Sequence, residues 1–262
     1  MFDFKDDRIM ITGAAGGIGL GLVAYFLETG AMVFAVDRDA EGLDKLNIDY
    51  GVDARLHTAV VDLTDAESIM TATHIFADIY GPVTILINNA GAAAATSLAT
   101  LKPQDWAHDL AINLSSAYHC VEAVKGEMIK AKKGVIINIG TVNAMLALGH
   151  PAYSAAKSGL ISYTKSLAIE YGPLGIRANI ICPGTVRTPA WNARAALKPE
   201  IFSTLKKWYP LRDFPDPKDI AQAAAFLASD MARMITGVVL PVDSGLTAGN
   251  PVMAAELTLE AF

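Results

Sequence analysis

The feature that most constrains this chain is the alternation of short apolar runs with longer segments of helical period. RIMITG leads into a helical segment over 17–29, MVFAVD into one over 40–50, and LHTAVVD into one over 65–80. VTILINNAG, a long helix over 103–130, GVIINIG, a helix over 151–171 and RANIICPG continue the series. A helix over 217–229 then precedes VVLPVDSG, the last apolar run. Strands joined by helices of this length pair in parallel, because each crossover carries the chain back to the same end of the sheet. The expected fold is α/β: one doubly wound parallel sheet of about seven strands, with helices on both faces and right-handed crossovers. With 52% of residues hydrophobic and 18% charged, the composition suits a sheet buried on both sides. Residues 1–262 read as a single domain.

In open parallel sheets, ligands bind beyond the carboxyl ends of the strands. Here those ends are small or polar: Thr12-Gly13, Asp37, Asp62, the NNAG run at 88–91, Gly140-Thr141 and Pro183-Gly184. The stretch 187–217 breaks the regular pattern with Pro189, Pro199, Pro210, Pro215 and Pro217 among Trp191, Trp208 and Tyr209. It reads as an insertion folding over the site, a candidate mobile lid. Residues 246–262 read as a tail without clear punctuation.

Composition removes several functions from consideration. A net charge of −6 speaks against a nucleic-acid partner, which would require clustered Lys and Arg. The N-terminus lacks an apolar signal core and no apolar stretch reaches the roughly 18 residues that span a bilayer, so no membrane partner and a cytoplasmic location are expected. Two cysteines and five scattered histidines have no metal-ligand spacing, so no metal site is expected. Chemistry at the site must then come from side chains and an organic cofactor.

Directly after the first apolar run, TGAAGGIG places Gly13, Gly17, Ile18 and Gly19 at a strand-to-helix turn. Glycines there let the backbone approach a pyrophosphate, and the helix start supplies free N–H groups. A glycine-rich turn by itself is often only a turn; its place between a first strand and first helix points to a dinucleotide. Asp37 closes the second apolar run, 18 residues after Gly19. An acid there accepts hydrogen bonds from ribose hydroxyls and repels a 2′-phosphate, which favours NAD over NADP. The neighbouring Arg38 is the residue that would favour NADP instead. Tyr153 and Lys157 are four apart, hence on one helix face. A phenol with an ordinary pKa of ~10 becomes useful in acid–base chemistry only where a cation stabilises its phenolate, and Lys157 carries such a charge.

The spacing in TGAAGGIG differs from the GxGxxG fingerprint, and with it the chain resembles the short-chain dehydrogenase/reductase superfamily, Rossmann-type oxidoreductases, over nearly its whole length. The resemblance rests on TGAAGGIG, Asp62 in VVDLTD, NNAG, Asn113 in INLSS, Tyr153 and Lys157 in YSAAK, and ICPGTVRT, in that order and at fitting intervals. It implies that Asp62 and Leu63 border an adenine and that Asn89, Ala90 and Gly91 line the cofactor cleft. It implies also that Pro183, Gly184, Val186 and Thr188 hold the nicotinamide carboxamide. Lys157 would bind the nicotinamide ribose, and Asn113 would hold a water in a proton relay. The implied activity is NAD-dependent interconversion of a secondary alcohol and a ketone, by a homo-oligomer, a tetramer or dimer, acting on a small molecule. In this family a Ser usually stands 13 residues before the Tyr, a count that lands on Gly140. One deletion in the following loop puts Thr141 at that place, and Thr141 is the expected hydroxyl. Asn143, Met145, His150, Trp191, Arg194 and Trp208 are candidates to face substrate; Asn143, His150 and Arg194 suit a sugar, polyol or hydroxy acid, whereas the tryptophans suit a ring or apolar body. A catalytically weak NAD-binding sensor or scaffold is the alternative that the displaced Ser suggests. An enoyl-thioester reductase is disfavoured, because those relatives space Tyr and Lys more widely.

Overall fold

The strands are β1 (Arg8–Thr12), β2 (Met32–Asp37), β3 (Leu56–Val60), β4 (Ile85–Asn88), β5 (Gly134–Ile139), β6 (Ile176–Pro183) and β7 (Val239–Val242). In the computed structural model, which describes residues 2–50 and 53–260, they form one sheet in the order β3-β2-β1-β4-β5-β6-β7. Every pairing is parallel. The chain order reverses between β1 and β4, which leaves a crevice beyond their carboxyl ends.

Helices α1 (Gly17–Glu28), α2 (Ala40–Tyr50), α3 (Ala66–Tyr80), α4 (Pro103–Leu110), α5 (Ser116–Ala131) and α6 (Pro151–Tyr171) follow the expected segments. They are succeeded by α7 (Pro189–Leu197), α8 (Ile201–Lys206), α9 (Pro217–Ala228) and α10 (Pro251–Thr258). Successive strand residues face opposite sides, so a sheet covered on both needs apolar residues throughout. In β1, Ile9 and Ile11 pack with Leu22 and Phe26 of α1 and Ala224 of α9, while Met10 packs with Ile69 and Phe76 of α3 and Val121 of α5. Phe34 of β2 stacks on Phe76, ring centroids 4.5 Å apart. Each fully buried Leu, Ile or Phe stabilises the fold by about 1.5–3 kcal/mol relative to exposure. These clusters fix the strand ends on which the site is built.

Three segments differ in detail from the sequence pattern. The helix expected over 103–130 is interrupted by a π-helical turn at Ala111–Ser115, between α4 and α5. The stretch 187–217 contains α7 and α8 and gathers its own aromatic contacts: Trp191 on Phe202 at 6.2 Å, Phe202 on Phe214 at 5.3 Å and Tyr209 on Phe214 at 4.8 Å. The tail forms a 3₁₀ turn at Leu246–Ala248 and then α10, with 261–262 outside the described residues. Among the described residues no helix is long and apolar enough to cross a membrane.

Candidate active site

At the end of β1 the chain turns through Gly13 in the left-handed region, φ +63°, where a Cβ would lie 2.8 Å from Ala90 Cα. A Cβ on Gly19 would lie 2.0 Å from the Gly13 carbonyl oxygen, so only glycine lets α1 start this close to the strand end. The residue ahead of α1 is Gly16, which brings no capping side chain, so none competes for the first-turn amides. The result is a cleft of about 520 Å³ over the sheet's switch point. The glycine turn contributes Gly13, Gly17 and Ile18 to it; the ends of β2 and β3 contribute Asp37, Asp62 and Leu63. Asn89, Ala90 and Gly91 follow from β4, and Thr188 from the segment after β6. Gly19 serves packing behind the lining.

Hydrogen bonds hold these groups in place. Asp37 accepts from the Ala15 amide at 3.0 Å and the Asp39 amide at 3.1 Å, fixing a carboxylate at the mouth of the turn. Asp62 accepts from the Thr64 amide at 2.9 Å and the Thr64 hydroxyl at 2.7 Å, which hold its carboxyl below the usual range. The Asn89 side-chain amide donates to the Thr12 and Gly13 carbonyls, each at 3.0 Å, and the Thr12 hydroxyl accepts from the Asn89 and Ala90 amides at 3.0 and 3.1 Å. Thr12 thus ties two strand ends together. It lay inside the TGAAGGIG signal, although its role there is visible only across strands. Open helix-start amides, a glycine cradle and a carboxylate at the β2 end fit a dinucleotide.

The expected reacting groups meet beside this cleft. Lys157 is 3% exposed and donates to the Ile139 carbonyl at 2.8 Å. Burial pushes its ammonium down to about 8. Its Nζ lies 6.0 Å from the centre of the half-buried Tyr153 ring and 3.4 Å from where a Cβ on Gly91 would sit, so it borders the cofactor cleft. Burial raises the Tyr153 phenol, a hydrogen bond with the Thr141 side chain opposes that rise, and negative charge at Cys182 and Asp109 would add to it. Thr141 is 9% exposed, in extended backbone at φ −166°, and its hydroxyl also accepts from the Asn143 amide at 3.2 Å.

Asn113 sits inside the π-helical turn. Its side chain donates to the Ala92 carbonyl at 2.7 Å and the Asp109 carbonyl at 2.9 Å, and accepts from the Ala92 amide at 3.2 Å. The side chain is therefore engaged in pinning the loop after β4. Asp109 is fully buried and accepts from the Ala94 amide at 3.1 Å. Sequence reading passed over it, since an acid on an amphipathic helix reads as solvated. Pro183 pairs with Val242, and Val186 is a buried core residue; Gly184 lies beyond, its amide bonded to the Val242 carbonyl at 3.1 Å.

A second cavity, about 990 Å³, opens on the other side of Tyr153 and Thr141. Gly184, Asn143, His150, Trp191, Arg194 and Trp208 all border it; Met145 is outside its lining. The Arg194 guanidinium stacks over Trp191 at 4.6 Å. The tail adds Leu246, Thr247, Gly249 and Asn250, a contribution its sequence did not signal. Among the described residues no group of three or more His, Cys, Asp or Glu is placed to hold a metal ion.

A family model described as Enoyl-(Acyl carrier protein) reductase matches residues 13–247. An uncharacterized oxidoreductase of Schizosaccharomyces pombe is 43% identical over 96% of this chain and 95% of its own length. D-threitol dehydrogenase of Mycolicibacterium smegmatis is 39% identical over 94% of this chain and 95% of its own. The crystal structure of an oxidoreductase of the short chain dehydrogenase/reductase family from Burkholderia thailandensis superposes with a TM-score of 0.92. It shares 53% identity, and the match covers 98% of both chains. Enzymes of that family bind nicotinamide cofactors and small-molecule substrates and typically form oligomers. The glycine turn, the parallel sheet and the Tyr153–Lys157 pair are this protein's share of a common design: the chain belongs to the short-chain dehydrogenase/reductase superfamily and is an oxidoreductase.

Proposed function

We propose that the protein is an NAD-dependent dehydrogenase interconverting a secondary alcohol and a ketone, with a polyol, sugar or hydroxy acid as substrate. The observation that carries this is the convergence of Tyr153, Thr141 and Lys157 between a dinucleotide-shaped cleft and a separate cavity. Bound nicotinamide supplies the hydride acceptor for oxidation or the donor for reduction. Thr141 and Tyr153 hold the reacting oxygen by hydrogen bonds. In oxidation the Tyr153 phenolate takes the hydroxyl proton; in reduction the phenol returns it. Lys157 supplies the positive charge that favours the phenolate, and its burial strengthens that interaction. Asn113 holds the loop carrying Gly91 and Ala92 in register beside it.

Asp37 at the end of β2 supports NAD, since a carboxylate there repels a 2′-phosphate. A polyol is supported by the 39% identical D-threitol dehydrogenase and by the polar side chains Asn143 and His150 on the cavity wall. A homo-oligomer in the cytoplasm, one domain over 1–262 and a mobile lid over 187–217 belong to the same proposal.

The test is nicotinamide absorbance with purified protein, offering NAD and NADP against polyols, sugars, hydroxy acids and simple secondary alcohols. Tyr153→Phe is expected to lower kcat by about 10²- to 10⁴-fold while NAD affinity stays within a few fold. Full activity in that variant would refute the assignment of Tyr153.

A further inference from the structure

His150 stands immediately before α6 in the left-handed region, φ +52°, directly after Gly149 at φ +87°. Left-handed backbone costs a residue with a side chain about 1–2 kcal/mol, and persists only where the surroundings over-determine it. Here they do. The His150 amide donates to the Thr96 carbonyl at 3.0 Å, while the Gly149 carbonyl accepts from the Ser154 hydroxyl at 2.9 Å and the Asn143 side-chain amide at 3.3 Å. Loop 92–96 is itself anchored to Asn113 and Asp109. The imidazole is thus held on the cavity wall from both sides.

Its Nδ1 lies 3.2 Å from the Ala95 carbonyl oxygen. A carbonyl has no proton to give, so Nδ1 carries the hydrogen and the neutral ring presents a lone pair at Nε2. Among the described residues Nε2 has no hydrogen-bond partner. The ring stands edge-on to the Tyr153 phenol, centroids 6.4 Å apart at 79°. Tyr153, Thr141 and His150 all border the same cavity, so an oxygen held by Tyr153 and Thr141 has the His150 ring on the adjoining wall. Asn143 adds a second acceptor: its Nδ2 is bonded to Gly149, leaving Oδ1 without a partner among the described residues. The cavity lining contains no Asp or Glu among the described residues.

We propose that His150 Nε2 accepts a hydrogen bond from a hydroxyl on the carbon next to the reacting one, so that the substrates are vicinal diols and the α-hydroxy ketones they form. This rests on the oxidoreductase reading above and narrows its substrate. A ring that merely anchored its loop through Nδ1 would affect all alcohols alike, whereas an acceptor at Nε2 separates diols from mono-alcohols. The deciding experiment compares kcat/KM for the stereoisomers of 2,3-butanediol with those of 2-butanol, using the full-length protein, its preferred cofactor and His150→Phe. The wild type is expected to prefer its best diol by about tenfold or more. In His150→Phe the diol to mono-alcohol ratio is expected to fall about tenfold or more. Equal wild-type kcat/KM for the two alcohols overturns the assignment even where the Phe variant fails to fold, and so does a ratio that the substitution leaves in place. Turnover of neither alcohol with either cofactor counts instead against the secondary-alcohol dehydrogenase function on which the proposal rests.

Discussion

A Cβ on Gly140 would lie 2.9 Å from both Cys182 Sγ and Ile180 Cδ1, so a Ser there would press into β6. Thr141, one residue on, carries a hydroxyl on the same cavity wall as the phenol, where it opposes the rise that burial imposes on Tyr153. Thr141→Val keeps the shape and removes the hydroxyl; kcat is expected to drop about 10²-fold or more, while Thr141→Ser stays within several fold. Single-turnover absorbance kinetics check both. Lys157 gives a prediction in pH. Its ammonium falls from the usual 10.5 to about 8 on burial, so between those values the unfolded chain holds a proton that the folded chain has released. Its contribution to stability therefore rises with pH through that window, and below about 8 the folded state carries the full cost, of order 3 kcal/mol. Lys157→Met is expected to raise Tm at pH 7 while abolishing turnover, with the Tm advantage shrinking toward pH 10. Calorimetry at the two pH values measures that difference, and an advantage that grew with pH would contradict the assigned cause. Tyr153, Lys157 and Asn113 were legible in the sequence as a motif series. The choice of Thr141 over Gly140 needed a count across a loop, and its steric reason lies on β6, 40 residues away.

The π-helical turn at Ala111–Ser115 shows what periodicity misses. A single extra residue in a helix leaves the apolar pattern on either side almost intact, so 103–130 reads as one helix. Its cause is tertiary: the Asn113 side chain closes on the Ala92 backbone and Asp109 on the Ala94 amide, sewing the loop after β4 to the helix. Asn113→Ala removes the partner of the Ala92 amide and carbonyl, in an exposed loop residue, and of the carbonyl of buried Asp109. A loss of about 1–3 kcal/mol is expected, seen as a lower urea midpoint at constant m, together with weakened cofactor binding through Gly91. The segment 187–217 was legible as an interruption because of its prolines. Its two short helices were not, since they are held by ring contacts among Trp191, Phe202, Tyr209 and Phe214.

For the molecule as a whole, the open amides of α1 and the carboxylate of Asp37 meet over the crevice where the strand order reverses, so cofactor binding is linked to global stability. With NAD at about a hundredfold over its Kd, mass action adds about 2.7 kcal/mol, a rise of several degrees in Tm for a domain of this size. NADP at the same concentration is expected to give a smaller shift, read by differential scanning fluorimetry; equal shifts would remove Asp37 as the selecting residue. The seven parallel strands, their helices and the polar strand ends were determined by the sequence, because burial on both faces demands apolar runs that end abruptly and because a glycine-rich turn set between a first strand and a first helix marks where the sheet opens. The second cavity was decided by the tertiary structure. Its wall takes Asn143 and His150 from before α6, Trp191 and Arg194 from α7, and Asn250 from the tail, residues whose separation along the chain carries no periodic signal. The lone pair at His150 Nε2 likewise exists as an acceptor only because the fold brings the Ala95 carbonyl to the opposite nitrogen.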